Sequence, residues 1–259
     1  MDYFQKIDQK PTPDLTWNLP EQKRGVIKII GGNNNSFRAE VKTAEFLANR
    51  YPVEAPTIVL PDSLKAKLPP LPNVIYLSST DSGSFANAKE LSTIMATPDF
   101  NLVLGDLSKN SVTAGAVHDA LKNLVRPTLI TRDTIDLIAE HQPESTLMNP
   151  QIIFFASMPQ LQKLFRAVYY PKVLLLSQSL VQVADALHKF TLSYPTKIIT
   201  LHNEQILIAA NGEVKAVPLA KTGYQPLTFW NGELATKIVA LNLFNPDNFI
   251  NATICALFA

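Results

Sequence analysis

The chain has 259 residues, 46% of them apolar, and a formal net charge of +1. That is enough apolar material for one large α/β core, and too little net charge for a surface that captures nucleic acid or anionic membrane electrostatically. A single cysteine, Cys255, excludes an internal disulfide and a cysteine-rich metal site.

No apolar run reaches bilayer-spanning length, and residues 1–6 carry no signal-type apolar core. The expectation is a soluble, cytoplasmic protein with no membrane or nucleic-acid partner. Only 9 glycines are present, against about 18 at the usual ~7%. Glycine-built nucleotide sites draw on a short supply here.

Residues 1–24, with Pro11, Pro13 and Pro20, read as an extended arm over the surface, ahead of one domain at 25–259. Residues 26–30 form a buried strand ended by Gly31 and Gly32. Asn33 to Ser36 make a polar turn, and Ser36 caps a helix carrying Ala39, Val41, Ala44, Phe46 and Leu47. Strands follow at 57–60, 73–77, 100–104, 127–131 and 152–155. Helices cover 86–95, 112–124, 133–139, 161–165 and 180–192. Residues 197–201 and 205–209 are strands, and the second pairs with 213–217 across Asn211-Gly212, a two-residue hairpin signal. Helices at about 232–244 and 247–258 close the chain. Its apolar end (Ile250, Ile254, Cys255, Leu257, Phe258) packs internally or against a second subunit. Short apolar strands alternating with helices give a mainly parallel sheet covered on both faces. Ligands then bind beyond the carboxyl ends of the strands.

One such loop is Phe229-Trp230-Asn231-Gly232-Glu233. Asn231 and Gly232 suit a turn that opens a helix, with Glu233 in its first turn. The free N–H groups and positive dipole end of a helix start favour phosphate. A carboxylate beside phosphate can take or deliver a proton. The plainer reading is that Glu233 only caps the helix. Gly31-Gly32 either approaches a ligand or makes a turn. Asp106 is either a turn residue or a water-mediated Mg²⁺ contact. His118, His141 and His188 lack metal-ligand spacing and read as surface residues, and no metal site is expected.

In order and spacing, these loops resemble the ribokinase-like superfamily, above all its NAD(P)H-hydrate dehydratase branch, carbohydrate-kinase-like proteins that repair hydrated NADH and NADPH. The resemblance runs over roughly residues 24–258. Gly25 to Gly32 is similar to the family's first strand and Gly-Gly-Ser turn, with Asn33 for serine. Gly105 keeps one residue of the Gly-Pro-Gly loop. Thr131 and Asp133 stand at Asp-Ala-Asp. Met158 and Leu161 replace the histidine and glutamate of Thr-Pro-His-Pro-Gly-Glu. Leu201-His202-Asn203 falls on Leu-Lys-Gly, and Trp230 to Glu233 on Gly-Thr/Ser-Gly-Asp.

The resemblance implies a ribokinase-like three-layer α/β sandwich with a C-terminal β-hairpin. It implies an anion- or nucleotide-binding set of Gly105, His202, Asn203, Asn231 and Gly232, a substrate set of Gly32, Asn33, Asp133 and Met158, and Glu233 as catalytic base. ATP or ADP with Mg²⁺ would be used if the protein is active, and no cofactor otherwise. It also implies a homo-oligomer. The departures matter. Leucine at 161 can neither accept a hydrogen bond nor bind metal. The Trp230 indole crowds phosphate. Glu233 is one methylene longer than aspartate, a displacement that costs rate. His202 serves phosphate only if protonated, and the plainer reading is a satisfied or exposed histidine. Two functions remain: a binding or assembly module whose nucleotide-dependent activity is lost or weakened, or an active dehydratase or small-molecule kinase. Glu233 is expected near a shallow cleft, with Gly105 and Asn203 on its rim.

Overall fold

The computed structural model describes residues 2–259. In chain order the first half comprises β1 (Phe4–Lys6), β2 (Ile27–Gly31), α1 (Arg38–Arg50), β3 (Thr57–Pro61), β4 (Val74–Leu77), α2 (Ala88–Met95), β5 (Phe100–Gly105), α3 (Ser111–Leu121), β6 (Thr128–Thr131), α4 (Asp133–Glu140) and α5 (Pro143–Leu147). The second half comprises β7 (Ile152–Phe155), α6 (Met158–Ala167), α7 (Leu180–Ser193), β8 (Lys197–His202), β9 (Gln205–Ala210), β10 (Glu213–Pro218), α8 (Glu233–Phe244) and α9 (Phe249–Leu257).

The described strands form one sheet in the order β1-β10-β9-β8-β7-β6-β5-β2-β3-β4. From β8 to β4 all neighbours are parallel, and only β9 runs against both of its partners. Register sorts the side chains into two layers. Ile29, Leu102, Leu129 and Ile153 align across four strands and join the core under α1, α8 and α9. Ile30, Val103, Ile130, Phe154 and Ile198 align on the other face, under α2 to α7. A one-residue slip of any strand would exchange these rows, so the double burial pins the register. Helices on both faces of a mostly parallel sheet make this a three-layer α/β sandwich. Ile254, Cys255 and Leu257 of α9 are buried within the chain's own core.

Some expectations need correction. The segment 4–6 does not lie over the surface as an arm: it is an edge strand parallel to β10, with Phe4 opposite Val214. Ser36 does not cap α1, because its Oγ donates to Asp106 Oδ2 at 3.0 Å. α6 is longer than expected, since the Gln160 side chain accepts from the Ser157 N–H at 3.0 Å and Pro159 fits the first turn. Of the three histidines expected at the surface, only His118 is buried, and His141 and His188 are half-buried. His118 is buried, with Nε2 2.9 Å from Ser145 Oγ, and His141 meets it edge-on at 5.4 Å. His188 stacks on Tyr3 at 3.8 Å. Among the described residues no helix is long and apolar enough to cross a membrane.

The hairpin at 211–212 is present, with Ala210 opposite Glu213 and φ of 50° and 80° at its two turn residues. Such double positive φ matches the strand twist. A Cβ on Gly212 would meet Leu192 at 2.7 Å. Gly212→Ala should therefore lower stability by at least ~1–2 kcal/mol, read as a fall in the urea midpoint. An unchanged midpoint would contradict this packing.

Candidate functional site

The chain leaves β2 toward β3 and β4 at one edge, then crosses back to β5 on the other side of β2. A crevice opens at such a switch point. Gly31 and Gly105 meet there. A Cβ on Gly31 would lie 2.6 Å from the Gly105 carbonyl O and collide with the Glu40 carboxyl. A Cβ on Gly105 would collide with Asp133. Gly105 also holds φ 95°, so both sterics and backbone demand glycine.

Polar groups fill this crevice. Gly32 N–H donates to Gly105 O at 3.0 Å, and Asn33 Nδ2 donates to Asp106 O at 2.6 Å. Asp106 Oδ2 accepts from Ser36 Oγ and from Arg132 Nη1, both at 3.0 Å. Glu40 lies behind them, fully buried, with neither carboxyl oxygen hydrogen-bonded. Burial pushes its pKa up to about 8, opposed by its own backbone N–H and by Arg132, with Asp106 and Asp133 adding to the effect. Burial likewise raises Asp133 to about 6, helped by Asp106 and opposed by the backbone N–H groups of Asp106 and Leu107.

Arg132 holds the strained position of the site, with φ 54° and ψ −139°. Its guanidinium bridges from Asp106 to the Asn231 carbonyl O, 3.4 Å away. A cleft of about 400 Å³ opens beside it, lined by Arg132, Asp136, Phe155, Lys163, Trp230 and Gly232 among others. Trp230 packs against Phe155 at 5.0 Å and edge-on to Phe229 at 4.7 Å. Asp136 is taken by Lys163 and by Gln160 Nε2, the latter at 3.1 Å. Gly232, at φ 97°, starts α8 at the cleft wall.

The sequence-derived residues fall into separate places. Gly32, Asn33, Gly105 and Asp133 come together in the crevice. Gly232 and Trp230 line the cleft. Glu233 does not: it faces a smaller groove between α1 and α8, with Lys42, Phe46 and Asn231, and pairs with Lys237 at 3.3 Å. Asn231 Oδ1 accepts from Glu233 N–H at 3.0 Å. Neither Gly105 nor Asn203 is on the cleft's rim. Asn203 and Glu204, at φ 47° and 58°, turn β8 into β9, a second two-residue hairpin. That ladder turns His202 inward, buried, with Nε2 2.8 Å from Gln178 O. Met158 and Leu161 are buried in the core. Among the described residues no group of three or more His, Cys, Asp and Glu side chains is placed to hold a metal ion.

Sequence reasoning missed Glu40 and Arg132. For Glu40 a signal existed: Glu40, Thr43, Ala44 and Leu47 form the buried face of α1 at i, i+3, i+4 and i+7. A carboxyl on that stripe is a buried carboxyl.

No family model and no curated protein sequence matches the chain. Solved structures do. A ribokinase-like superfamily protein of Enterococcus faecalis superposes with a TM-score of 0.64 at 15% identity, over 100% of this chain and 86% of its own. The chain has the ribokinase-like fold. A hypothetical protein of Streptococcus mutans is similar at TM-score 0.63 and 16% identity, over 97% and 88% of the two chains. The ADP/ATP-dependent NAD(P)H-hydrate dehydratase of Bacillus subtilis, co-crystallised with ATP and Mg²⁺, is similar at TM-score 0.59 and 14% identity, over 94% and 83%. At these identities the likeness is one of fold.

Glu40 makes stability depend on pH. Its carboxyl holds the proton more tightly in the folded chain, about 8 against an ordinary 4.5. Across that window the unfolded chain binds fewer protons, so the contribution present below the unfolded value is lost as pH rises through the folded one. Glu40→Gln removes this slope. Relative to the unchanged protein, its melting temperature should rise by several degrees between about pH 5 and about pH 9. A difference independent of pH would show that Glu40 is solvated.

Proposed function

We propose that this chain is a divergent ribokinase-like protein of the NAD(P)H-hydrate dehydratase type whose nucleotide-dependent catalysis is lost or weakened, and that it serves as a small-molecule binding or assembly module. One observation carries the reading. Glu233 pairs with Lys237 in the α1–α8 groove, whereas the cleft beside Gly232 is bordered by Arg132. A base must reach its proton within hydrogen-bond distance, and Glu233 faces a different surface.

The charges near the cleft support the same reading. Arg132 is neutralised by Asp106 and Lys163 by Asp136. Trp230 narrows the approach to the helix start. The residues therefore fit a nucleotide and Mg²⁺ poorly. What the cleft offers is an aromatic wall of Phe155 and Trp230 beside Ser157 and Gln160. Such a wall suits a planar molecule held by stacking and one or two hydrogen bonds. Assembly as a homo-oligomer belongs to the same proposal.

A second reading, an active ATP- or ADP-dependent dehydratase or kinase with Mg²⁺ and Glu233 as base, draws on one feature. Gly232 starts α8 at the cleft, and a helix start attracts anions. Calorimetric titration of MgATP and MgADP separates the two readings. The protein should bind neither more tightly than about 1 mM. Trp230→Gly should raise the affinity by exposing backbone N–H groups. Micromolar binding that Trp230→Gly leaves unchanged would overturn the first reading and favour the second.

A further inference from the structure

A second cavity, of about 320 Å³, lies between the last turn of α6 and the segment that follows it. α6 begins just after the carboxyl end of β7, so its last turn is roughly 14 Å further along the helix axis, away from the cleft. The floor is Phe165, buried, stacked on Phe190 at 4.0 Å and met edge-on by Tyr170 at 5.1 Å. The wall is the segment 173–175, tied to α6 by Gln162 Nε2 donating to Leu174 O at 2.9 Å. Leu174 is buried, but Val173 and Leu175 are 67% and 50% exposed.

Two exposed side chains at this cavity, Tyr169 and Arg166, make no hydrogen bond, ion pair or ring contact among the described residues. Tyr169 ends α6 at φ 51°, with its N–H on Arg166 O and the Tyr170 N–H on Phe165 O. Glycine is the usual residue at such a left-handed cap. A tyrosine costs strain there, and this residue is 93% exposed beside the cavity. The Arg166 guanidinium, also lining the cavity, has no ion pair or hydrogen bond among the described residues. The other cation, Lys172, is held by Asp185.

We propose that this cavity binds a small aromatic carboxylate, its ring between Phe165, Tyr169 and Tyr170 and its carboxylate on Arg166. The volume is at the lower end for small-molecule sites, which favours a single ring over a nucleotide. Aromatic side chains pair with a ring by offset or edge-on contact. A guanidinium without a partner matches one carboxylate through two parallel hydrogen bonds. The exposed Tyr169 ring gains a partner when the ligand enters.

The test is amide-detected NMR titration of the full chain with 3-phenylpropionate and with its neutral counterpart 3-phenylpropan-1-ol. The acid should give saturable shifts at Phe165, Tyr169 and Leu174 while the Trp230 indole N–H stays still. Binding should weaken about tenfold for the alcohol, and about tenfold for Arg166→Gln. Tyr169→Gly should raise the melting temperature by relieving the cap, yet weaken binding, a split that a purely structural tyrosine would not produce. Equal affinity for acid and alcohol, shifts centred on Trp230, or no saturation by about 10 mM would each overturn the proposal. So would shifts at Tyr169 that follow protein concentration without ligand, because a second copy would then cover this face.

Discussion

The Arg132 guanidinium, 3.0 Å from the Asp106 carboxylate and 3.4 Å from the Asn231 carbonyl O, is the contact on which the candidate site turns. It joins the loop after β5, the start of α4 and the turn before α8. Two of its three participants hold an unfavourable backbone conformation. Arg132 and Asp106 both hold positive φ, and such positions cost of order 1–3 kcal/mol each. Behind them Glu40 and Asp133 are carboxyl groups with raised pKa. A charged Glu40 would be costly in that interior, and burial favours its protonated form. Local stability has been given up where three loops converge, which is where a ribokinase-like sheet has its crevice.

The same contact decides what the neighbouring cleft can do. A site for polyphosphate needs cations whose charge is free to meet the ligand. Here both cations of the cleft are paired with aspartates, and Glu233 follows the helical phase of α8 outward. Leu234, Ala235 and Ile238 take the buried face. Glu233 and Lys237, one turn apart, share the outer side. The cleft's remaining wall is Trp230 packed on the buried Phe155.

Much of the fold was legible. Ile27–Gly31 and Phe100–Gly105 are β-rich apolar runs closed by glycine, and Asn211-Gly212 carries the positive φ its hairpin needs. β1 was not legible, because Phe4-Gln5-Lys6 has no periodicity and its partner is β10, far away in the chain. The β8–β9 turn was missed because Asn203-Glu204 contains no glycine. In the site, the place of Gly232 at a helix start could be read from turn chemistry. The direction of Glu233 could not, since it depends on which face of α8 the sheet buries. Arg132 gave no local signal: its role comes from Asp106 and Asn231, which lie 26 and 99 positions away.

The most direct measurement is turnover. Hydrated NADH is incubated with the protein, MgATP or MgADP, and the return of NADH absorbance is followed against a blank. The expected result is a rate indistinguishable from the blank, in the unchanged protein and in Glu233→Gln alike. Restoration of NADH that depends on nucleotide and disappears in Glu233→Gln would contradict the reading of this cleft as a binding site without a positioned base.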